Sequence, residues 1–142
     1  MTDSVLVAMD DSPLSSEALA FALETFPDAR VTVVHVAAPD LDMLPADTEE
    51  VVGAALDDLD GVGDETAASV FETVREVAAD RDVAVTFLTG EAERRIAEYA
   101  EEGDFDHVVL GTHGRSGLSR ALIGSVAEAV TRETAVPTTL VK

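Results

Sequence analysis

The sequence predicts an α/β fold: one domain over residues 1–142, with an open parallel sheet of five strands covered by helices on both faces. Three observations carry this. Short apolar runs alternate with helix-period patterns five times, the order that parallel strands with crossover helices require. A glycine-spaced loop leaves the fourth run and enters the last helical pattern, as in sheets that place a ligand beyond their strand ends. A length of 142 residues also suffices for one real core.

The elements follow in order. Val5-Leu6-Val7-Ala8-Met9 is the first strand. Asp10, Asp11 and Ser12 turn the chain, and Pro13 suits the first helical position after a Ser N-cap, where its missing N–H would have no helical partner anyway. Leu19, Ala22, Leu23 and Phe26 recur at helical spacing, and Pro27 ends that helix. Val31 to Val36 is the second strand, closed by Pro39. Residues 38–63 hold acids at 40, 42, 47, 49, 50, 57, 58 and 60 and glycines at 61 and 63; they read as a loop, a short helix near 48–60 and a break. Ala67, Val70, Phe71, Val74, Val77 and Ala78 share one face of the next helix, and Val83 to Leu88 is the third strand. Gly90 precedes a helix with Ala92, Ile96, Tyr99 and Ala100 inward. Asp106 to Leu110 is the fourth strand, and Ile123, Val126, Ala127 and Val130 form one buried stripe of the last helix. Thr138 to Val141, after Pro137, is the fifth strand.

Composition excludes several classes of function. The absence of cysteine removes disulfides, thiolate nucleophiles, Cys-ligated zinc and iron–sulfur clusters together, and three separated histidines offer no zinc spacing. No run of 18 apolar residues and no basic, apolar leader occurs, so the chain is expected in the cytoplasm, without a membrane span. The formal charge of −20, with a single lysine at Lys142, repels nucleic-acid backbones. With 46% apolar residues the chain nevertheless folds, and acids spread over every helix suit a host at high salt better than a block made for a basic partner.

One stretch departs from this acidity. Between Asp106 and Glu128 lie 21 residues without a carboxylate, against 11 in the next longest gap, and Arg115 and Arg120 fall inside it. Its centre reads Gly111-Thr112-His113-Gly114-Arg115-Ser116-Gly117 and continues to Gly124-Ser125. Glycines at 111, 114 and 124 let an anion approach the backbone, and the first amides of the last helix point along the positive end of its dipole. Buried elements exclude acids anyway, but a polar loop has no such reason to avoid them. The loop therefore reads as a phosphate site, with Arg115 and Arg120 as charge-assisted donors or as surface cations paired with the surplus acids. If the first and fourth strands are neighbours, Asp10 to Ser12 face this loop and Val36 lies close by.

Other polar residues have plainer readings. Asp10 and Asp11 are helix-start residues sooner than an acid–base pair. His113 is a solvent-facing loop residue or a phosphate contact, His35 a satisfied core histidine, and His107 faces a neighbouring loop.

The spacing Gly-x2-Gly-x9-Gly-Ser, met by Gly111, Gly114, Gly124 and Ser125, resembles the ATP-binding signature of the universal stress protein family. Asp106-His107-Val108-Val109-Leu110, Gly124-Ser125-Val126-Ala127, Gly90 and Pro137 resemble that family too, and the likeness covers nearly the whole chain. It implies a Rossmann-like sheet of order 3-2-1-4-5 and a homodimer formed along the C-terminal strand. It also implies that Asp10 approaches the adenosine, that the Val36 backbone meets adenine, and that Ala8 packs near the nucleotide. Gly111, Gly114, Arg115, Gly124 and Ser125 would hold the phosphates of ATP, with Mg2+ or Mn2+ beside them. Asp11 departs from the glycine common at its position and adds a carboxylate near an anionic ligand. The function expected is a nucleotide-binding regulatory stress protein acting as a dimeric switch with an unknown partner. A slow ATPase or phosphotransferase using Asp10 or His113 is a second reading, weakened by the lack of a Gly-Lys-Ser/Thr lysine. A dimeric module binding AMP or a cyclic nucleotide is a third.

Overall fold

The computed structural model describes residues 2–37, 50–59, 61–112 and 123–142. Strands are β1 (Ser4–Ala8), β2 (Arg30–Ala37), β3 (Val51–Ala54), β4 (Val83–Thr89), β5 (His107–Gly111) and β6 (Thr138–Val141); helices are α1 (Pro13–Thr25), α2 (Glu65–Ala78), α3 (Ala92–Glu102) and α4 (Ser125–Glu133). They build one sheet of order β3-β4-β2-β1-β5-β6. Without β3 the order is the expected 3-2-1-4-5, and those five strands are parallel. Strand order reverses between β1 and β5, which pair from Val5 opposite His107 to Val7 opposite Val109.

Period-two alternation along the strands sorts their side chains into two cores. Val5, Val7, Val31, Val33, Val85 and Phe87 pack under α1 and α2 with Leu19, Val70, Phe71 and Val74. Leu6, Ala8, Val34, Leu88, Val108 and Leu110 face the other way, toward α3 and α4, with Ile96, Ala100, Ala127 and Val130. Because both faces are covered, β1 is buried from Val5 through Ala8, which explains its unbroken apolar run. Each such Val or Leu contributes about 1.5–3 kcal/mol through burial.

Among the described residues the sheet has six strands instead of five. The short helix expected near residues 48–60 is instead the antiparallel edge strand β3, with Val51 opposite Phe87 and Ala54 opposite Val85, followed by a 3-10 turn over Leu56–Leu59. Pairing with β4 outweighs the local acidic pattern, and Gly53 at φ +61° accommodates the irregular register. Thr86 Oγ1 ties this edge to the other side of the sheet: it accepts from the Gly53 N–H at 2.9 Å and lies 2.8 Å from the Tyr99 hydroxyl of α3.

Gly63 lies where the chain enters α2, at φ +78°, and an added Cβ there would stand 2.6 Å from the Ala67 Cβ and 3.0 Å from the Phe87 ring. Gly63→Ala therefore meets both left-handed strain and overpacking and should cost about 2–4 kcal/mol, read as a lower melting temperature. A melting temperature equal to wild type would show that the turn relaxes without cost.

His107 meets the connection after α1, where Phe26 lies, and also the neighbouring strand β6. Its Nε2 lies 2.6 Å from Thr139 Oγ1 on β6, and its ring stacks at a tilt on Phe26 with centroids 5.2 Å apart. Burial lowers its pKa from the ordinary 6.5. Below that value the unfolded chain takes up a proton that the folded chain resists, so stability from this group is complete above pH 6.5 and declines as pH falls through the window beneath it. In thermal melts, His107→Gln should flatten the fall in melting temperature between neutral pH and the onset of carboxylate titration; an unchanged slope would assign that fall to other groups.

Candidate functional site

The carboxyl ends of β1, β2, β4 and β5 open onto the point where strand order reverses. In a doubly wound sheet the chains leaving neighbouring strands there part to opposite faces, which creates a crevice. The chain after β1 turns through Asp10, whose carboxylate is already employed. Asp10 Oδ1 accepts from the Ser12 N–H and from the Ser15 hydroxyl, both at 2.8 Å, while the Asp10 N–H donates to Ser15 Oγ at 2.8 Å. This loop of bonds pins the start of α1, where Ser12 is the N-cap residue without a side-chain cap bond and Pro13 follows as expected. Asp10 is thus a helix-start residue that marks one wall of the crevice. Ser15 is its unanticipated partner; a Ser three residues after an N-cap carries no distinctive sequence signal.

His35 is buried, as expected of a core histidine, but only one of its nitrogens is satisfied. Nδ1 lies 3.0 Å from the Met9 carbonyl and must donate to it, while Nε2 is enclosed with no hydrogen-bond partner. The bond fixes the backbone just before Asp10, which the Met9 N–H to Val34 carbonyl bond, 2.9 Å, secures from the same side.

Ala8 and Val36 both belong to the core beneath α3 and α4. Ala8 is buried against β2 at Val34, so only its backbone is available to a ligand, and Val36 is half-buried beside Leu88. Gly111 ends β5 opposite Val141 of β6. The Thr112 N–H continues that ladder to the Val141 carbonyl, and the Gly124 N–H then returns to the Thr112 carbonyl at 2.6 Å. The two ends of the glycine loop are therefore held together at the top of β5. Gly114 and Arg115, with His113 and Arg120, lie outside the described residues.

Gly124 is the N-cap of α4, at φ −65° and ψ 159°, and as a glycine it makes no side-chain cap bond. The amides of Ser125, Val126 and Ala127 precede the first intrahelical donor, the Glu128 N–H, which reaches Gly124 O. A nine-residue helix that begins on a glycine gets no acceptor from its N-cap side chain, and its positive end suits an anion. Ile123 is corrected here. It is 51% exposed and precedes the helix, because the extended Gly124 turns it off the stripe that Ala127 and Val130 bury.

Glu50, at the mouth of the same end of the sheet, accepts from the Thr89 N–H at 2.9 Å and from Arg95 at 3.0 Å. The Thr89 amide and then Arg95 hold its carboxyl below the usual range. A separate groove of about 500 Å³ opens at the opposite end of the sheet, where Arg30, Arg75 and Arg81 line it with Asp57 and Asp82. Arg81 there donates to the Leu23 and Ala29 carbonyls, and Arg75 pairs with Asp57 and Glu72, so these cations serve the fold. Among the described residues no group of three or more His, Asp or Glu could hold a metal, and no helix is long and apolar enough to cross a membrane.

An open, doubly wound α/β domain, with its candidate site at the switch between β1 and β5 and a glycine-capped helix start beside it, is the class of protein this geometry defines. The chain belongs to the universal stress protein family, whose sequence model matches residues 1–142. It is 28% identical to the universal stress protein MJ0531 of Methanocaldococcus jannaschii over 144 residues, covering 97% of this chain and 81% of that protein. The universal stress protein UspA from Lactobacillus plantarum has the same fold, with a TM-score of 0.75 at 22% identity, covering 99% of this chain and 98% of the other. A universal stress protein solved in complex with cAMP superposes with a TM-score of 0.67 at 21% identity, covering 99% and 97% of the two chains.

Proposed function

We propose that this chain is an ATP-binding regulatory protein that holds its nucleotide at the glycine loop and signals as a dimer. The observation that supports it most is the start of α4: a glycine N-cap without a side chain of its own, tied to Thr112 so that the two ends of the glycine loop meet at the helix start. In this reading Gly111, Gly114, Arg115, Gly124 and Ser125 take the phosphates, with Mg2+ or Mn2+ alongside. Asp10, the Ala8 backbone and the Val36 backbone line the nucleoside end. The complex of a structural neighbour with cAMP is compatible with a nucleotide in this fold.

Slow hydrolysis is the weaker reading, because Asp10 Oδ1 is committed to Ser12 and Ser15 and is poorly placed to take a proton from water. For the dimer, the reading uses β6, one of the two edges of the sheet with β3: it pairs with β5 alone, and its four residues are all half-buried. A second copy pairing there would cover an edge that is otherwise a liability.

Calorimetric titration with Mg-ATP, in parallel with phosphate release and light scattering, tests the proposal. It expects saturable binding near one nucleotide per chain, little turnover and a dimer. Turnover that falls with Asp10→Asn or His113→Ala would favour the enzyme, and dimers indifferent to ATP would favour the interaction module.

A further inference from the structure

Cations are scarce in this chain, 9 Lys and Arg against 29 acids, yet Arg30, Arg75 and Arg81 all line the groove at the end of the sheet opposite the glycine loop. The groove exists because β3 stops early. It pairs with β4 no further than Ala54 opposite Val85, whereas β2 accompanies β4 from Val83 onward, so β3 leaves the outer edge of β4 uncovered at Val83 and Ala84. The chain then bends through Ala55 into the 3-10 turn at Leu56, and a space of about 500 Å³ remains, walled by these apolar residues.

The three arginines are in different states. Arg75 is balanced by Glu72 at 3.6 Å and Asp57 at 3.9 Å. Arg81 is held in place by the Leu23 carbonyl at 3.0 Å and the Ala29 carbonyl at 3.5 Å, which are neutral acceptors that fix the guanidinium and leave its charge. Arg30, the first residue of β2, is exposed, and among the described residues its guanidinium makes no hydrogen bond or ion pair. Two positive charges therefore face the groove without a carboxylate paired to them. Of the acids there, Asp57 has a side chain 98% exposed, turned to solvent.

A planar guanidinium with its donors uncommitted matches one carboxylate through two parallel hydrogen bonds, and the apolar wall beside it suits a short hydrocarbon. Asp57 and Asp82 on the rim disfavour a polyanion. We propose that this groove is a second ligand site, separate from the glycine loop, which takes a small organic acid with one carboxylate on a short apolar chain. The carboxylate pairs with Arg30 beside the fixed charge of Arg81, and the chain lies along Leu56, Val83 and Ala84.

Sodium butyrate is titrated into the 15N-labelled full chain at neutral pH and one fixed KCl concentration, with butyramide as the neutral isostere and inorganic phosphate as the anion without an apolar part. Butyrate should shift the amides of Leu56, Val83 and Ala84 and the Arg30 side-chain N–H saturably, and butyramide should not. Arg30→Gln should weaken butyrate at least about tenfold, and Arg30→Lys, which keeps the charge but not the planar fork, should fall between. Arg30 is exposed, so both variants should melt as wild type does. No saturable shift at these residues, equal shifts with butyramide, or an Arg30→Gln protein that binds butyrate as wild type does overturns the proposal. Phosphate binding as tightly as butyrate overturns the role of the apolar wall.

Discussion

Gly124→Val should reduce affinity for Mg-ATP by at least about 100-fold, equivalent to roughly 2.7 kcal/mol, while leaving the fold in place. The backbone at Gly124, φ −65° and ψ 159°, is open to any residue, so valine adds no conformational strain. It trades a good N-cap for a poor one, which costs about 1 kcal/mol or less. Its side chain, however, stands at the entrance to the Ser125, Val126 and Ala127 amides, where the phosphates are proposed to sit. The two effects separate cleanly: a near-normal melting curve with lost binding supports the site, whereas retained binding would place the nucleotide elsewhere. Gly114→Val is expected to match it, since the same spacing includes both glycines.

The second large effect is of salt on stability. A formal charge of −20 on 142 residues is confined to a globule with a radius of gyration near 14 Å. At about 0.1 M salt the Debye length is about 10 Å, so the acids repel one another across much of the surface; at about 1 M it is about 3 Å and that repulsion is largely removed. The unfolded chain spreads the same charge over a larger volume and suffers less. The difference amounts to several kcal/mol, a large part of the whole stability of a domain of this size, about 5–15 kcal/mol. The melting temperature should therefore rise on the order of 10–20 °C between these conditions. A melting temperature independent of KCl would contradict a surface adapted to salt and would favour acids retained for another reason.

Much of the fold is legible in the residues because local signals agree with the tertiary arrangement. The runs Val5 to Ala8 and Val108 to Leu110 are wholly apolar, and Val31 to Val34 is broken only by the buried Thr32, because both faces of the sheet are covered. Pro13, Pro27 and Pro137 mark element ends in both sequence and structure. What escaped was decided by contacts distant in sequence. β3 is four residues with a glycine inside it, too short to show a period, and it exists because β4 offers it an edge. Ile123 fits the helical stripe in spacing but lies before the turn that begins the helix.

The candidate site divides in the same way. Gly111, Gly124 and Ser125 stand out by spacing, and Asp10 by its place after a strand. Ser15 and His35 carry no local signal: only the pairing of β2 with β1 brings His35 to the Met9 carbonyl.

The central claim is that the chain holds a nucleotide at the glycine loop, and the most direct measurement is of what it retains when purified in high salt. The protein is denatured and the released small molecules are separated and identified by mass. The account predicts ATP at close to one per chain in wild type and none in Gly124→Val. Wild-type protein that yields no nucleotide and also fails to bind added Mg-ATP would contradict it.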